Sequence, residues 1–381
     1  MMLRRAGLAL LLAGLTGCAG VSDWFSSADN REKPAALVEF KPTAAAGIAW
    51  RGSVGAAGGW VFTPAAVGGS VYAAGRDGWI SRFDAESGRV MWRIDAGRKL
   101  SAGVGVGEGL VLAGTEKGEV LAFDLDGKAL WQARVSSEIL SAPQAADSVV
   151  VVRAGDGQIF GLNVRDGKRK WVYQRALPAL SIRNYAGVAV TRGAVFAGFA
   201  GGKLVALNLA NGNVGWEATV AQPRGATELE RIADVTSLPV VDENRVYVVA
   251  YQGRLACFDA GNGNLIWARE LSSTAGLALD ERNVYVPDAR GAVHALDKLT
   301  GASVWKQDKL AARRLSAPVA GDRQVAVGDG QGYVHFLSRE DGAFSARIAT
   351  DGGPIAAPLV ETDHGVLAQT QNGGLFALTV H

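Results

Sequence analysis

Few residues in this 381-residue chain have side chains suited to covalent or metal chemistry: two Cys, four His and the acidic residues. Cys257 lies in an alternating apolar run, Leu255-Ala256-Cys257-Phe258, and reads as a buried structural thiol. With Cys18 far away in sequence and differently placed, no disulfide framework is expected. His294 and His335 share a register, three residues after Gly291 and Gly332. Two imidazoles without a carboxylate cluster make a weak metal site, so they read as packing or exposed residues. Asp and Asn recur at turn positions, where hydrogen bonds to the local backbone account for them. No G-x-S-x-G elbow, P-loop or H-E-x-x-H is present. The expectation is a non-enzymatic protein with no catalytic residue, no metal and no cofactor.

Cys18 stands apart. Arg4 and Arg5 precede an apolar stretch from Leu8 to Leu15, too short to span a bilayer. The sequence Leu15-Thr16-Gly17-Cys18 resembles a bacterial lipobox. Residues 1–17 are therefore expected to be a signal peptide, with Cys18 as the lipidated N-terminus. Each buried CH₂ of an acyl chain contributes about 0.8 kcal/mol. Ala19 follows, not the Asp that resembles an inner-membrane retention signal, which favours the outer membrane. Residues 18–46, rich in Ala, Ser, Lys and Pro, read as a flexible tether with a span of roughly 30 Å. The chain has 39 Lys+Arg and 37 Asp+Glu. Without Arg4 and Arg5 the balance is neutral, so nothing points to nucleic acid.

The elements that would carry any site are announced by glycine, 50 residues of it. Eight glycines mark a repeat: Gly78, Gly118, Gly157, Gly202, Gly253, Gly291, Gly332 and Gly373. Their spacing averages about 42 residues, the period of a four-stranded propeller blade. Trp92, Trp131, Trp171, Trp216, Trp267 and Trp305 each follow a second glycine by four residues. Ala346 takes that register in the seventh repeat, and the eighth stops at His381 before its last strand. Ile48-Ala49-Trp50-Arg51 has the missing strand's character. The expected fold is all-β: an eight-bladed β-propeller over residues 47–381, its ring closed by the N-terminal strand completing the last blade. The repeated Trp residues, Trp50 included, are expected to pack between blades.

Rigid repeats present function on their loops. The two longest steps are consecutive, 45 residues from Gly157 to Gly202 and 51 from Gly202 to Gly253. Both insertions follow the Trp strand, so they emerge from one face of adjacent blades. The first contains Leu177 to Tyr185, with surplus Leu, Ile, Tyr and Arg suited to an interface. The second, Thr227 to Thr236, is mixed in charge and reads as briefly helical.

The D/N-x-x-x-G-x-x-x-W blade sentence, as at Asp84 to Trp92 and Asp259 to Trp267, resembles two families. One is the quinoprotein alcohol dehydrogenases, which would imply a periplasmic oxidoreductase binding pyrroloquinoline quinone. The other is the BamB family of outer-membrane assembly lipoproteins, which the chain resembles end to end: lipobox, tether and eight blades. Dehydrogenases of the first family are larger, and many carry adjacent Cys residues that this chain lacks. The BamB resemblance implies a scaffold of the β-barrel assembly (Bam) complex at the periplasmic face of the outer membrane. It implies docking on a POTRA domain of BamA, other Bam subunits as neighbours, and unfolded outer-membrane β-barrel precursors as further partners. The family's contact residues fall on Leu180, Ile182 and Arg183, and on Arg231, Asp234 and Val235. Thr236 stands where the family element often has a second Asp. A propeller binding peptidoglycan or another envelope component is a third reading of the same features.

Overall fold

The computed structural model describes residues 32–183 and 185–381. The expected signal peptide, Cys18 and the first part of the expected tether lie outside the described residues, as does Asn184. The fold belongs to the unit Pro34–His381. Among the described residues it is all β, with thirty-two strands in eight four-stranded antiparallel sheets. Seven blades are sequential in the chain: 65–95, 100–134, 144–173, 188–219, 240–270, 278–307 and 319–349. The eighth pairs Gly374–Val380 with Ala46–Ser53, from the other end of the chain. This is the eight-bladed β-propeller with its ring closed by the N-terminal strand.

Burial explains why the strands read differently in sequence. The second strand of a blade is covered on both faces by neighbouring blades. Ser70–Ala74 and Val149–Arg153 are buried at every position, and such strands read as continuous apolar runs. The outer strand has one solvated face, so from Met91 to Asp95 exposed and half-buried positions alternate.

Apolar clusters lie mostly between blades. One joins Trp50, Phe83 and Leu375 of the eighth and first blades. Seven of the eight seams are built in the same way, the exception being that between the seventh and eighth blades, where Ala346 takes the Trp register. The Trp50 indole N–H donates to the Ala85 carbonyl of the next blade at 2.9 Å. Trp92, Trp131, Trp171, Trp216, Trp267 and Trp305 do the same, with carbonyls of Leu125, Val164, Leu209, Ala260, Lys298 and Arg339. Each ring lies flat on the glycine of that turn. A Cβ on Gly263 would meet the Trp216 ring at 2.6 Å, and its φ of +75° is itself costly for other residues.

Most register glycines also sit at positive φ, but Gly253 does not. In that turn Gln252 takes the left-handed position, with φ 46°. Gly253 is needed for space instead, since a Cβ would approach the Ala221 methyl to 2.6 Å.

The tether expectation is corrected over residues 34–45. They form a strap bound to the seventh blade. The Ala35 N–H donates to the Ala311 carbonyl at 2.9 Å, and the Thr43 N–H to the Ser345 carbonyl at 3.0 Å. Phe40 stacks on Phe344 with centroids 5.3 Å apart. Arg347 lies over both rings and donates to the Val38 carbonyl at 3.1 Å. Composition suggested freedom here because it does not show that Arg313 and Arg347, on a blade distant in sequence, donate to the strap's carbonyls.

Candidate protein-binding face

Both insertions leave outer strands on the same face. The first joins Arg169–Tyr173 to Val188–Thr191, and the second joins Val214–Thr219 to Val240–Asp242. Neither contains a helix among the described residues. The expected short helix is one hydrogen-bonded turn, in which the Arg231 N–H donates to the Thr227 carbonyl at 3.1 Å. A reciprocal cap holds it. The Glu230 N–H donates to the Thr227 hydroxyl, and the Thr227 N–H donates to the Glu230 carboxylate, each at 3.2 Å. The Ala226 and Thr227 N–H groups, both donating to the Glu230 carboxylate, hold it below its ordinary pKa.

Asp234 ties the loops together. Its Oδ2 accepts the Ile182 N–H at 2.7 Å, and its Oδ1 accepts the Gly201 N–H at 3.0 Å. It is 1% exposed. Val235 is fully buried beside Gly198, where a Cβ would lie 2.1 Å from the Val235 side chain. Both were expected to touch a partner, and the structure corrects this. After Arg231 the chain turns inward, because one carboxylate there satisfies two backbone donors that would otherwise be buried unpaired. Thr236, in the place of the family's second Asp, is also buried, and its hydroxyl has no partner among the described residues.

The other expected residues are accessible. Leu180 is 41% exposed, Ile182 is half-buried, and Arg183 and Arg231 are exposed. Arg231 makes only a loose surface pair with Glu228 at 3.7 Å. Leu177 and Leu229 join this face, the latter 68% exposed at the tip of its loop.

Sequence reasoning missed how the first loop is braced. Arg183 lies 4.9 Å over the Trp60 ring, and Arg76 lies 4.7 Å from the same ring. The Tyr185 hydroxyl donates to the Gly59 carbonyl at 3.3 Å. Residues 54–64 connect the eighth blade to the first, so these contacts reach across the mouth of the ring. The available signal was Trp60 itself, which falls outside the repeating Trp register.

The residues considered for chemistry are buried or paired within the fold. Cys257 is buried, and burial pushes its thiol up to about 11. His294 and His335 bond to Asp288 and Asp329 at 2.9 and 2.8 Å. No cluster of three metal-ligating residues occurs among the described residues.

A family model described as outer membrane protein assembly factor BamB matches residues 76–307 and 289–381. The chain is 47% identical to the protein of that name from Nitrosomonas eutropha, covering 97% of this chain and 93% of the relative. The chain belongs to the BamB family. The crystal structure of BamB from Moraxella catarrhalis superposes with a TM-score of 0.81 at 28% identity, over 88% of this chain and 100% of that one. A quinohemoprotein alcohol dehydrogenase from Comamonas testosteroni gives 0.69 at 13% identity, over 88% and 76%. That likeness shows the propeller fold alone. Membership of the BamB family, by contrast, rests on sequence over nearly the whole chain.

Proposed function

We propose that this chain is an outer-membrane protein assembly factor acting as a non-enzymatic scaffold of the Bam complex. Its ring docks on a POTRA domain of BamA through Leu180, Ile182, Arg183 and Arg231. Asp234 and Val235 support that face from beneath. A lipid on Cys18 holds the scaffold at the periplasmic face of the outer membrane, beside other Bam subunits and incoming β-barrel precursors. The observation that supports this most is the joining of the two insertions by one buried carboxylate. Two loops of adjacent blades thereby become one surface, with Leu180 and Leu229 exposed among arginines, a composition suited to a protein interface.

The test is co-purification of BamA from mild detergent with the triple variant L180A/I182A/R183A. The expected result is loss of BamA from the eluate while the melting temperature of the variant stays close to that of the parent. Undiminished recovery of BamA would overturn the docking assignment.

A further inference from the structure

Beneath the first insertion lies a cleft of about 260 Å³, lined by Glu138, Ser141, Arg153, Leu177, Ile182 and Arg183 among others. Its unusual member is Arg153. The residue ends the strand Val149–Arg153, whose other members are all buried Val. It is only 9% exposed. Buried arginines are ordinarily paired with a carboxylate, because an unpaired charge in the interior is expensive. Arg153 has no such pair among the described residues. Its Nη1 makes one long bond to the Ala186 carbonyl at 3.4 Å, and its guanidinium lies 5.0 Å over the Phe199 ring. Burial, with no opposing charge, brings its pKa down to about 10.

Arg153 lines the cleft, and the surrounding chain packs closely about it. Gly157 has φ +83°, and a Cβ there would meet Leu177 at 2.9 Å, so the insertion folds closely over its own blade. Gly155 likewise leaves room for the Glu138 side chain, which a Cβ would meet at 2.6 Å. The Glu138 carboxylate bonds to the Ser137 hydroxyl rather than to Arg153. Two guanidiniums, Arg153 and Arg183, face one carboxylate in the lining. The cleft therefore carries a net positive charge, with an aliphatic wall from Leu177 and Ile182.

We infer that this cleft is a carboxylate-binding subsite of the docking face, which takes an Asp or Glu side chain from the partner protein onto Arg153. A buried, charge-assisted and bidentate arginine–carboxylate pair is among the stronger contacts available to an interface. The aliphatic wall suits an apolar residue next to the acidic one. The inference rests on the docking reading above and adds the chemistry of the partner segment.

The test compares R153M, E138Q and the pair L180A/I182A in full-length lipoprotein, titrated with the POTRA region of BamA from the same organism. R153M keeps the packing on Phe199 and removes the charge. It is expected to weaken binding at least tenfold while the melting temperature of the free protein holds or rises. E138Q is expected to bind as tightly as the parent or tighter. Neutralising each POTRA acid in turn should then find one whose loss costs nothing further in the R153M background. If R153M binds normally while L180A/I182A does not, the subsite is refuted and the docking face stands. If neither variant loses affinity, both readings fall. If R153M lowers the melting temperature and binding is unchanged, Arg153 is a structural cation and the inference is overturned. The same holds if E138Q alone destabilises the protein, because Glu138 is then the partner of Arg153.

Discussion

Asp234 shows how a single side chain can serve an interface it does not touch. Replacing it with Ala leaves the part-buried Ile182 and Gly201 N–H groups without this acceptor. Each such loss costs about 1–3 kcal/mol. D234A is therefore expected to lower the melting temperature and to weaken BamA binding by releasing the first loop. D234N keeps one acceptor oxygen and should fall between D234A and the parent. R231A provides the contrast, since an exposed pair contributes little to stability. It should weaken binding with no shift in melting temperature. Thermal denaturation beside the binding titration separates the two classes, and a D234A protein as stable as the parent would remove Asp234 from its positioning role. The sequence announced this segment as charged and inserted, and placed it on the correct edge of the correct blades. It did not show which charge turns inward, because that depends on two amide donors from chain segments 33 and 52 residues away. Arg153 was legible in principle, as a cation closing a run of four Val residues. What no sequence pattern reveals is that no carboxylate pairs with it among the described residues.

At the scale of the element, the seam between blades is the repeated unit of stability. Trp216 donates to the Ala260 carbonyl, lies on Gly263 and meets Phe196 with centroids 5.9 Å apart. W216A should cost about 3–5 kcal/mol, the range for removing a large aromatic from a packed site. G263A should be destabilising too, for it pushes a methyl into the same ring and strains a left-handed turn. Chemical denaturation of both variants checks this, and a W216A protein within 1 kcal/mol of the parent would contradict the role given to the seam. This element was the most legible part of the chain, because glycine and Trp recur at fixed spacing in most blades. The seventh blade is where that legibility ends. Ala346 pairs with Phe336 in the register where Trp305 pairs with Ala295. The next blade has no intact turn to receive an indole, since its last two strands come from opposite ends of the chain.

For the whole molecule, the consequence is that the seventh blade carries the N-terminal strap, through a buried charge network. Asp329 accepts from Arg313 Nε at 2.7 Å and lies 2.8 Å from His335 Nε2. Arg347 Nε donates to His335 Nδ1 at 3.1 Å. That bond fixes the tautomer: the imidazole is neutral, accepts at Nδ1 and gives its Nε2 proton to Asp329. Arg313 and Arg347 in turn hold the Ala35 and Val38 carbonyls of the strap. The groups facing His335 are thus Asp329, Arg313 and Arg347, with the Tyr333 and Phe344 rings beside it. Burial lowers the His335 pKa below its ordinary 6.5, and the two arginines add to that, outweighing the attraction of Asp329. In the unfolded chain the imidazole takes up a proton near pH 6.5. The folded protein resists it, so the unfolded state binds more protons and stability falls as pH drops below about 6.5. Asp329 acts in a separate and lower window. Burial alone would raise its carboxyl, but the hydrogen bonds from His335 and the Tyr333 and Gln331 amides outweigh this and hold it below 3.8. The melting temperature should therefore decline between pH 7 and pH 5, and the protection of the Ala35 and Thr43 amides, taken relative to their intrinsic exchange rates, should fall over the same interval. H335Q cannot take up the proton. Whatever its own stability at pH 7, it should show a shallower decline and a strap whose exchange rates follow the intrinsic pH dependence alone. An H335Q slope as steep as the parent's would mean that the strap's hold on the seventh blade does not titrate through His335.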